Sequence, residues 1–355
     1  MSTVLLTGGA GFIGSALGRR LCASGVRVVA ADSLHPQVHP VRERPLDMHS
    51  MVEFVPFDVT HDETWEPLLK QVRPDIVVHL AAETGTGQSL AHASRHASVN
   101  VLGTTRMLDA MYRSEHRPAH ILLTSSRAVY GDGAWQAEDG SVYYPGVRRR
   151  SMLDARQWDY VDVNGGLMHP LPSIAGTTRT YPTNVYAATK LAQEDILRSW
   201  CAATETKLSI LRLQNVYGPG QSVTNSYTGV LTFFARQASK GQVINVFEDG
   251  QIVRDFVFID DVAAALYAAI ERPPEVSRMV DVGSGVASTI LDVARSMAAL
   301  SNAPDPVITG DFREGDVRAA SCSIGALREE LGYVPTVDLD AGIRHLLSWV
   351  AEHDK

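Results

Sequence analysis

The run Gly8-Gly9-Ala10-Gly11-Phe12-Ile13-Gly14 constrains this chain more than any other stretch. It directly follows a short apolar run, Thr3–Thr7, and opens a helical pattern over residues 12–24. Glycine at 8 allows a tight turn, and glycine at 11 lets the backbone approach a pyrophosphate. Glycine at 14 lets helix and strand pack closely. The unpaired N–H groups and dipole of the helix start, around Phe12 and Ile13, then favour phosphate. Asp32 lies 18 residues after Gly14, at the end of the next apolar run, where an acid can bind ribose hydroxyls. Its carboxylate would repel a ribose phosphate, so NAD(H) is expected. NADP(H) is the alternative, with Arg42 or Arg44 as the compensating charge.

The rest of the chain keeps the rhythm this turn begins. Strands are expected at residues 26–31, 52–56, 76–80, 120–124 and 208–213, with helices at 91–114 and 184–203 between them. Near-continuous apolar strands alternating with helices predict an α/β fold, a doubly wound parallel (Rossmann) sheet covered on both faces. We expect a dinucleotide-binding domain over 1–215. A smaller C-terminal lobe over 216–355 would hold substrate, with some segments returning to the main sheet. About fifty residues between Gly131 and Thr180 lack a clear period. A loop of that length is usually functional, so 133–180 is expected to form a flap beside the site. Its basic run, 148–150, reads as a solvated face, or alternatively as a closure over a phosphorylated ligand.

Composition removes several function classes. The 355 residues are 45% hydrophobic and 20% charged, enough for a large core without disulfides or metals. A net charge of −8 argues against a nucleic-acid or anionic-membrane surface. Cys22, Cys201 and Cys322 are widely spaced and odd in number, which suits a reducing cytoplasm. No apolar run approaches a membrane span. His92 and His96 stand four apart but lack a third ligand, so no metal is expected.

Several separate motifs carry a family resemblance. They are TGGAGFIG, Asp58-Val59, Leu80-Ala81-Ala82, Asn100, Ser125-Ser126 followed by Val129-Tyr130-Gly131, and Tyr186 with Lys190. In this order they resemble the extended short-chain dehydrogenases/reductases, and within them the nucleotide-sugar epimerase/dehydratase group. The resemblance spans nearly the whole chain. It implies that Asp58, Val59, Leu80, Ala81, Ala82 and Asn100 line the cofactor, with Tyr186 and Lys190 also touching it.

Tyr186 and Lys190 stand four apart in NVYAATKLAQE, on one helical face. A free tyrosine, at a pKa of about 10, is a poor proton acceptor near neutrality. A neighbouring ammonium and a positive nicotinamide would favour the phenolate. The resemblance makes Ser126 the hydroxyl that bonds the reacting sugar oxygen. It also gives Asn215, Arg254, Arg313 and Asp316 to the nucleotide diphosphate and its ribose. Arginine suits that task because its planar fork matches phosphate oxygens.

The residues after Ser126 discriminate within the group. Dehydratases of this group carry an Asp-Glu pair there, and decarboxylases a glutamate; this chain has Arg127-Ala128. Keto-sugar 3,5-epimerase-reductases would place a cysteine where Arg127 stands. Redox at one carbon remains. The phrases at 32–40, 81–90 and 214–234 resemble the dTDP-L-rhamnose 4-epimerase subgroup, although the insertion here lacks that subgroup's paired cysteines. The expectation is therefore an NAD-dependent 4-epimerase of a dTDP-activated 6-deoxyhexose, cytoplasmic and homodimeric. The alternatives are an NAD(P)H-dependent 4-ketoreductase and a non-catalytic dinucleotide sensor.

Overall fold

Alternate residues of the central strands face opposite sides, and both sides are apolar. Val4, Leu6, Val28, Ala30, Val78 and Leu122 join one buried cluster. Leu5, Val29, Ala31, Val77, Ile121 and Leu123 join another on the opposite face. Such strands can only be interior, between two helical layers. The computed structural model, which describes residues 2–39, 41–46, 48–222 and 229–354, has that arrangement.

Seven strands form the main sheet: β1 (Thr3–Thr7), β2 (Arg27–Asp32), β3 (Glu53–Pro56), β4 (Ile76–His79), β5 (His120–Ser126), β6 (Lys207–Leu213) and β7 (Ser277–Val282). Their spatial order is β3-β2-β1-β4-β5-β6-β7. Every pairing is parallel. The order reverses between β1 and β4, which opens a crevice at their carboxyl ends. The glycine turn enters the Phe12–Ala23 helix from there. β7 is a strand from late in the chain that returns to this sheet beside β6.

The Val185–Thr204 helix starts where Asn184 caps it, accepting from the Ala187 N–H at 2.9 Å. The single helix expected over 91–114 is corrected to a chain of pieces. Thr86–Ala91 and Ala93–His96 are short helices, Ala97–Leu102 is a π-helical turn, and Gly103–Arg113 is regular. Non-helical backbone at His92 (φ −126°, ψ 42°) breaks the first piece. The wide turn lies where Asn100 is turned inward, and such turns recur at functional sites.

Beyond β6, Asn215–Tyr217 pairs with Val253–Phe258, which also pairs with Ala287–Thr289 and Ala319–Ala320. A second core, including Tyr217, Phe234, Phe256, Phe258, Met297 and Leu346, lies under these strands. The irregular segment after Gly131 is folded. Trp135–Gln136 pairs antiparallel with Val142–Tyr143 and His169–Pro170. Trp135 meets Tyr160 edge to face, with ring centroids 4.9 Å apart. Main-chain bonds from Ser173 N to Ser321 O and from Ser323 N to Ser173 O, both 2.9 Å, join it to the C-terminal part.

The basic run is corrected at one residue. Arg148 is buried against Glu248, because its fork meets a carboxylate that no water reaches. Arg150 is exposed and pairs with Asp154 and Glu314. Of the 32–40 and 214–234 phrases, Pro40 and residues 223–228 lie outside the described residues. Among the described residues no helix is long and apolar enough to cross a membrane.

Candidate active site

The crevice at the β1–β4 reversal holds a cavity of about 500 Å³. Gly8, Gly11, Asp32, Asp58, Val59, Leu80, Ala81 and Ala82 line it, residues read from separate motifs up to 74 positions apart. Steric room explains the glycines. Gly8 has φ +67°, and a Cβ there would lie 2.7 Å from Ala81 N; one on Gly14 would lie 2.6 Å from Gly9 Cα. At Gly11 the nearest protein atom to such a Cβ is Gly8 O, at 3.3 Å, so its outer side is open. Gly11 caps the helix without a side-chain bond, leaving the first N–H groups free for an anion. Phe12 lines an adjoining cavity that also reaches Gly11, and Ile13 packs into the core. Their contribution is therefore main-chain.

Asp32 accepts from Ala10 N at 3.1 Å and from Leu34 N at 2.9 Å. It fixes the glycine turn while its carboxylate faces the cavity. Asp58 accepts from both Thr60 N (2.8 Å) and Thr60 Oγ1 (2.7 Å). These residues fit a dinucleotide: an open-sided glycine turn, free helix amides and an acid at the second strand end. Asn100 sits behind the cavity wall. It accepts from Glu83 N (2.7 Å) and donates to Glu83 O (3.0 Å) and Thr189 Oγ1 (2.9 Å). It thus joins the loop after β4 to the helix that carries Tyr186 and Lys190.

β5 ends at Ser126, and the Val185–Thr204 helix crosses in front of it. The Ser126 side chain faces the Tyr186 hydroxyl and favours its ionised form. Ser126 Oγ also accepts from Ala128 N at 3.2 Å. Burial raises the Tyr186 pKa, opposed by the Ser126 side chain and the Arg127 guanidinium. The sequence pattern gives Lys190, with a positive nicotinamide, the task of favouring the phenolate. Lys190 Nζ donates to Gln193 Oε1 at 2.5 Å, and burial lowers its pKa to about 7, with Glu194 pulling it upward. Surrounded by neutral groups, the ammonium loses more solvation than it gains from its partners.

Gln193 continues the buried chain to Thr104 Oγ1 at 2.9 Å, and His79 contacts Thr104 at 3.0 Å and Thr7 at 2.7 Å. On the other side, Glu194 receives Arg212 at 3.0 and 2.6 Å and the Ser125 hydroxyl at 2.5 Å. Tyr186, Lys190 and Glu194 are each four apart, so this third member was legible as a continued helical stripe.

The residues given to the diphosphate are only partly brought together. Arg254 Nη2 pairs with Asp316 Oδ1 at 2.7 Å, and Arg127 Nε donates to Asn215 Oδ1 at 3.0 Å. Arg313 lies apart, exposed, with its guanidinium 5.2 Å over the Phe247 ring. In the sequence, Arg127 reads only as the residue that stands in place of a carboxylate or a cysteine. The structure places it between Ser126 and Asn215, beside the reaction centre.

The family model for the NAD dependent epimerase/dehydratase family matches residues 4–151 and 165–283. The chain is 54% identical to the dTDP-L-rhamnose 4-epimerase of Burkholderia thailandensis, over 98% of this chain and 95% of that protein. It is 30% identical to the UDP-glucose 4-epimerase of Mycolicibacterium smegmatis, over 96% and 95%. Among solved structures, it matches the UDP-glucose 4-epimerase of Thermus thermophilus in complex with NAD. The TM-score is 0.76, with 26% identity over 98% of both chains. The fold, the glycine cradle and these matches together make the chain a member of the NAD-dependent epimerase/dehydratase family of extended short-chain dehydrogenases/reductases.

Proposed function

We propose that the protein interconverts the C4 epimers of a dTDP-activated 6-deoxyhexose by transient oxidation at carbon 4. The observation that carries this reading is that Ser126 and Tyr186 come together at the end of β5, beside the dinucleotide cavity and flanked by Arg127 and Ala128. A hydroxyl pair can move one proton at one oxygen. The two carboxylate positions that a dehydration at carbons 5 and 6 would use carry a guanidinium and a methyl group. The similarity to a dTDP-L-rhamnose 4-epimerase supports the choice of substrate.

NAD supplies reversible hydride transfer at carbon 4. Gly8, Gly11 and Gly14 with the Phe12 and Ile13 amides would hold its pyrophosphate, and Asp32 its adenosine ribose. Asp58, Val59, Leu80, Ala81 and Ala82 would wall its adenine side, with Asn100 holding the loop in place. Tyr186 takes the proton from the 4-hydroxyl and later returns one to the same oxygen. Ser126 orients that oxygen, and Lys190 binds the nicotinamide ribose. Asn215, Arg254, Asp316 and Arg313 hold the dTDP moiety, so the keto-sugar can turn while its nucleotide stays anchored. The 133–180 segment and the 216–355 region form the wall in which it turns. A homodimer in the reducing cytoplasm completes the proposal; Cys22, Cys201 and Cys322 are buried free thiols, which is in keeping with that compartment.

The test is turnover of dTDP-L-rhamnose without added cofactor, with deuterium at carbon 4. The expected result is a 4-epimer that retains the label. If only a 4-keto-sugar with stoichiometric NAD(P)H reacts, the protein is a ketoreductase instead.

A further inference from the structure

The phrases at 32–40 and 81–90, separate in sequence, meet in the fold. Gln37 Nε2 donates to Gln88 Oε1 at 2.8 Å, and Gln88 Nε2 donates back to Gln37 Oε1 at 3.0 Å. Beside this reciprocal amide pair, Arg95 Nη2 donates to His35 Nδ1 at 3.3 Å while pairing with Glu83 at 2.6 Å. His35 Nδ1 also accepts the Gln37 N–H at 3.2 Å, which ties the two links together. Gln88 is only 6% exposed, so its amide takes from Gln37 the bonds that water would otherwise supply.

Both links cross the cofactor crevice. Its floor is made of strand ends, Gly8, Ala31 and Leu80 among them. One flank is the glycine turn with the loop after β2. Val38 and His39 of that loop also border the adjoining cavity, together with Phe12 and Arg19 of the first helix. The other flank is the segment after β4, which brings Thr84, Ser94 and Arg95 to the crevice. That segment runs on into the Gly103–Arg113 helix, which packs Met107 and Leu108 on the opposite face of the sheet from the first helix. Gln37 stands five residues beyond β2 and Gln88 nine beyond β4, both well past the strand ends that form the floor.

We infer that Gln37 and Gln88 are positioning residues for the cofactor: their amide pair, backed by His35 and Arg95, is a clasp over the crevice that must open before NAD(H) enters or leaves. A dinucleotide that touches both Asp32 and Tyr186 lies along the crevice, beneath the clasp. The inference deepens the epimerase reading, which needs a cofactor kept from one turnover to the next, and rests on that reading for the purpose of the clasp. A reductase that takes up fresh NAD(P)H in every cycle would only be slowed by it.

The experiment compares wild type, Gln37→Ala, Gln88→Met and the double variant. Radiolabelled NAD+ bound to each protein and chased with unlabelled NAD+ gives the release rate, and stopped-flow binding of NADH to cofactor-stripped protein gives the association rate. Each single variant should release the label about tenfold or more faster than wild type, the scale of two lost hydrogen bonds. Association should quicken by a similar factor, so Kd should shift by less than about threefold. The double variant should match the single ones, because both amides act through one contact. Gln37→Ala changes a half-buried loop residue and carries the test if Gln88→Met folds poorly. Unchanged exchange rates in the single variants would overturn the inference. So would faster release with unchanged association, which would make these side chains ordinary cofactor contacts. The rates are read on binding alone, so they separate the clasp from the reading beneath it. Turnover of only a 4-keto-sugar with stoichiometric NAD(P)H would remove the epimerase, whereas unaltered exchange in the variants would remove the clasp.

Discussion

Arg148 holds Glu248 with both terminal nitrogens, at 2.8 and 2.7 Å, and each side chain is only 1% exposed. The two residues are a hundred positions apart, one in the inserted segment and the other in the C-terminal region. Arg148 Nη2 also donates to Asp316 O at 2.9 Å, the residue whose carboxylate pairs with Arg254. Arg318 Nη1 reaches the same Glu248 at 3.1 Å and pairs with Asp249 and Asp159. The insertion is therefore docked by buried charge, and that docking borders the Arg254–Asp316 pair.

The two partners should not be equivalent. Arg148→Met leaves Glu248 compensated by Arg318, whereas Glu248→Leu strands the buried Arg148 guanidinium. Breaking a buried pair costs about 3–5 kcal/mol. Glu248→Leu should fall in that range and Arg148→Met below it, measured by urea unfolding. Both should expose residues 131–180 to faster amide exchange. Equal costs, with exchange unchanged, would mean that the pair does not hold the segment.

Tyr186→Phe should lower turnover about a hundredfold or more, the scale of a lost acid/base group. NAD binding and the thermal midpoint should stay near those of wild type, since the ring and its contact with His96 remain. A variant that turns over normally would take Tyr186 out of the mechanism.

Asp32→Asn should relax the choice between cofactors. The wild-type carboxylate repels a 2′-phosphate, so NAD(H) should bind more tightly than NADP(H) in fluorescence titrations. Asparagine keeps one acceptor oxygen for the Ala10 or Leu34 N–H but removes the charge. NADP(H) affinity should then rise relative to NAD(H), with some loss of both from a looser turn. A wild type that prefers NADP(H) would show that Arg42 or Arg44 outweighs Asp32.

The main sheet was legible because its signals are local. Strand–glycine turn–helix is contiguous, and period-two burial on two faces leaves an apolar run in the sequence itself. The positions of Asp32 and of the Tyr186–Lys190 pair were legible for the same reason, as fixed short offsets in the sequence, the first across one strand–helix–strand unit and the second along one helix. What escaped depends on distant partners. Nothing near Arg148 in sequence announces Glu248, so a basic run read as solvated held a buried fork. Arg127 looked like a missing carboxylate, because its partner Asn215 lies 88 residues away. The surroundings of Lys190 also depend on distant partners. Gln193 is its close neighbour in sequence, but the burial that depresses its charge comes from β1, β4 and the Gly103–Arg113 helix folding over it.

That burial also sets an acid limit on stability. His79 is fully buried between Thr7, Thr104 and Gln193, and its pKa is pushed down to about 3 by loss of solvent and by the Lys190 charge. In the unfolded chain it returns to about 6.5. The depressed group contributes stability that is fully present above pH 6.5 and is lost as pH falls toward 3. At pH 5.5 the loss from this one residue is about 1.4 kcal/mol. Asp281 works against it: burial raises its pKa to about 7, so protonation in the fold adds stability as pH falls toward 4. The two trends overlap, so the wild-type slope alone cannot isolate either. The difference between wild type and His79→Gln can, because glutamine keeps a donor and an acceptor but does not titrate. His79→Gln should be less stable than wild type at pH 7.5, since it fits the Thr7–Thr104 gap less well. Between pH 7.5 and 5.5 urea unfolding should show that gap narrowing by about 1.4 kcal/mol. A gap that stays constant across this range would mean that His79 takes up its proton without leaving the fold.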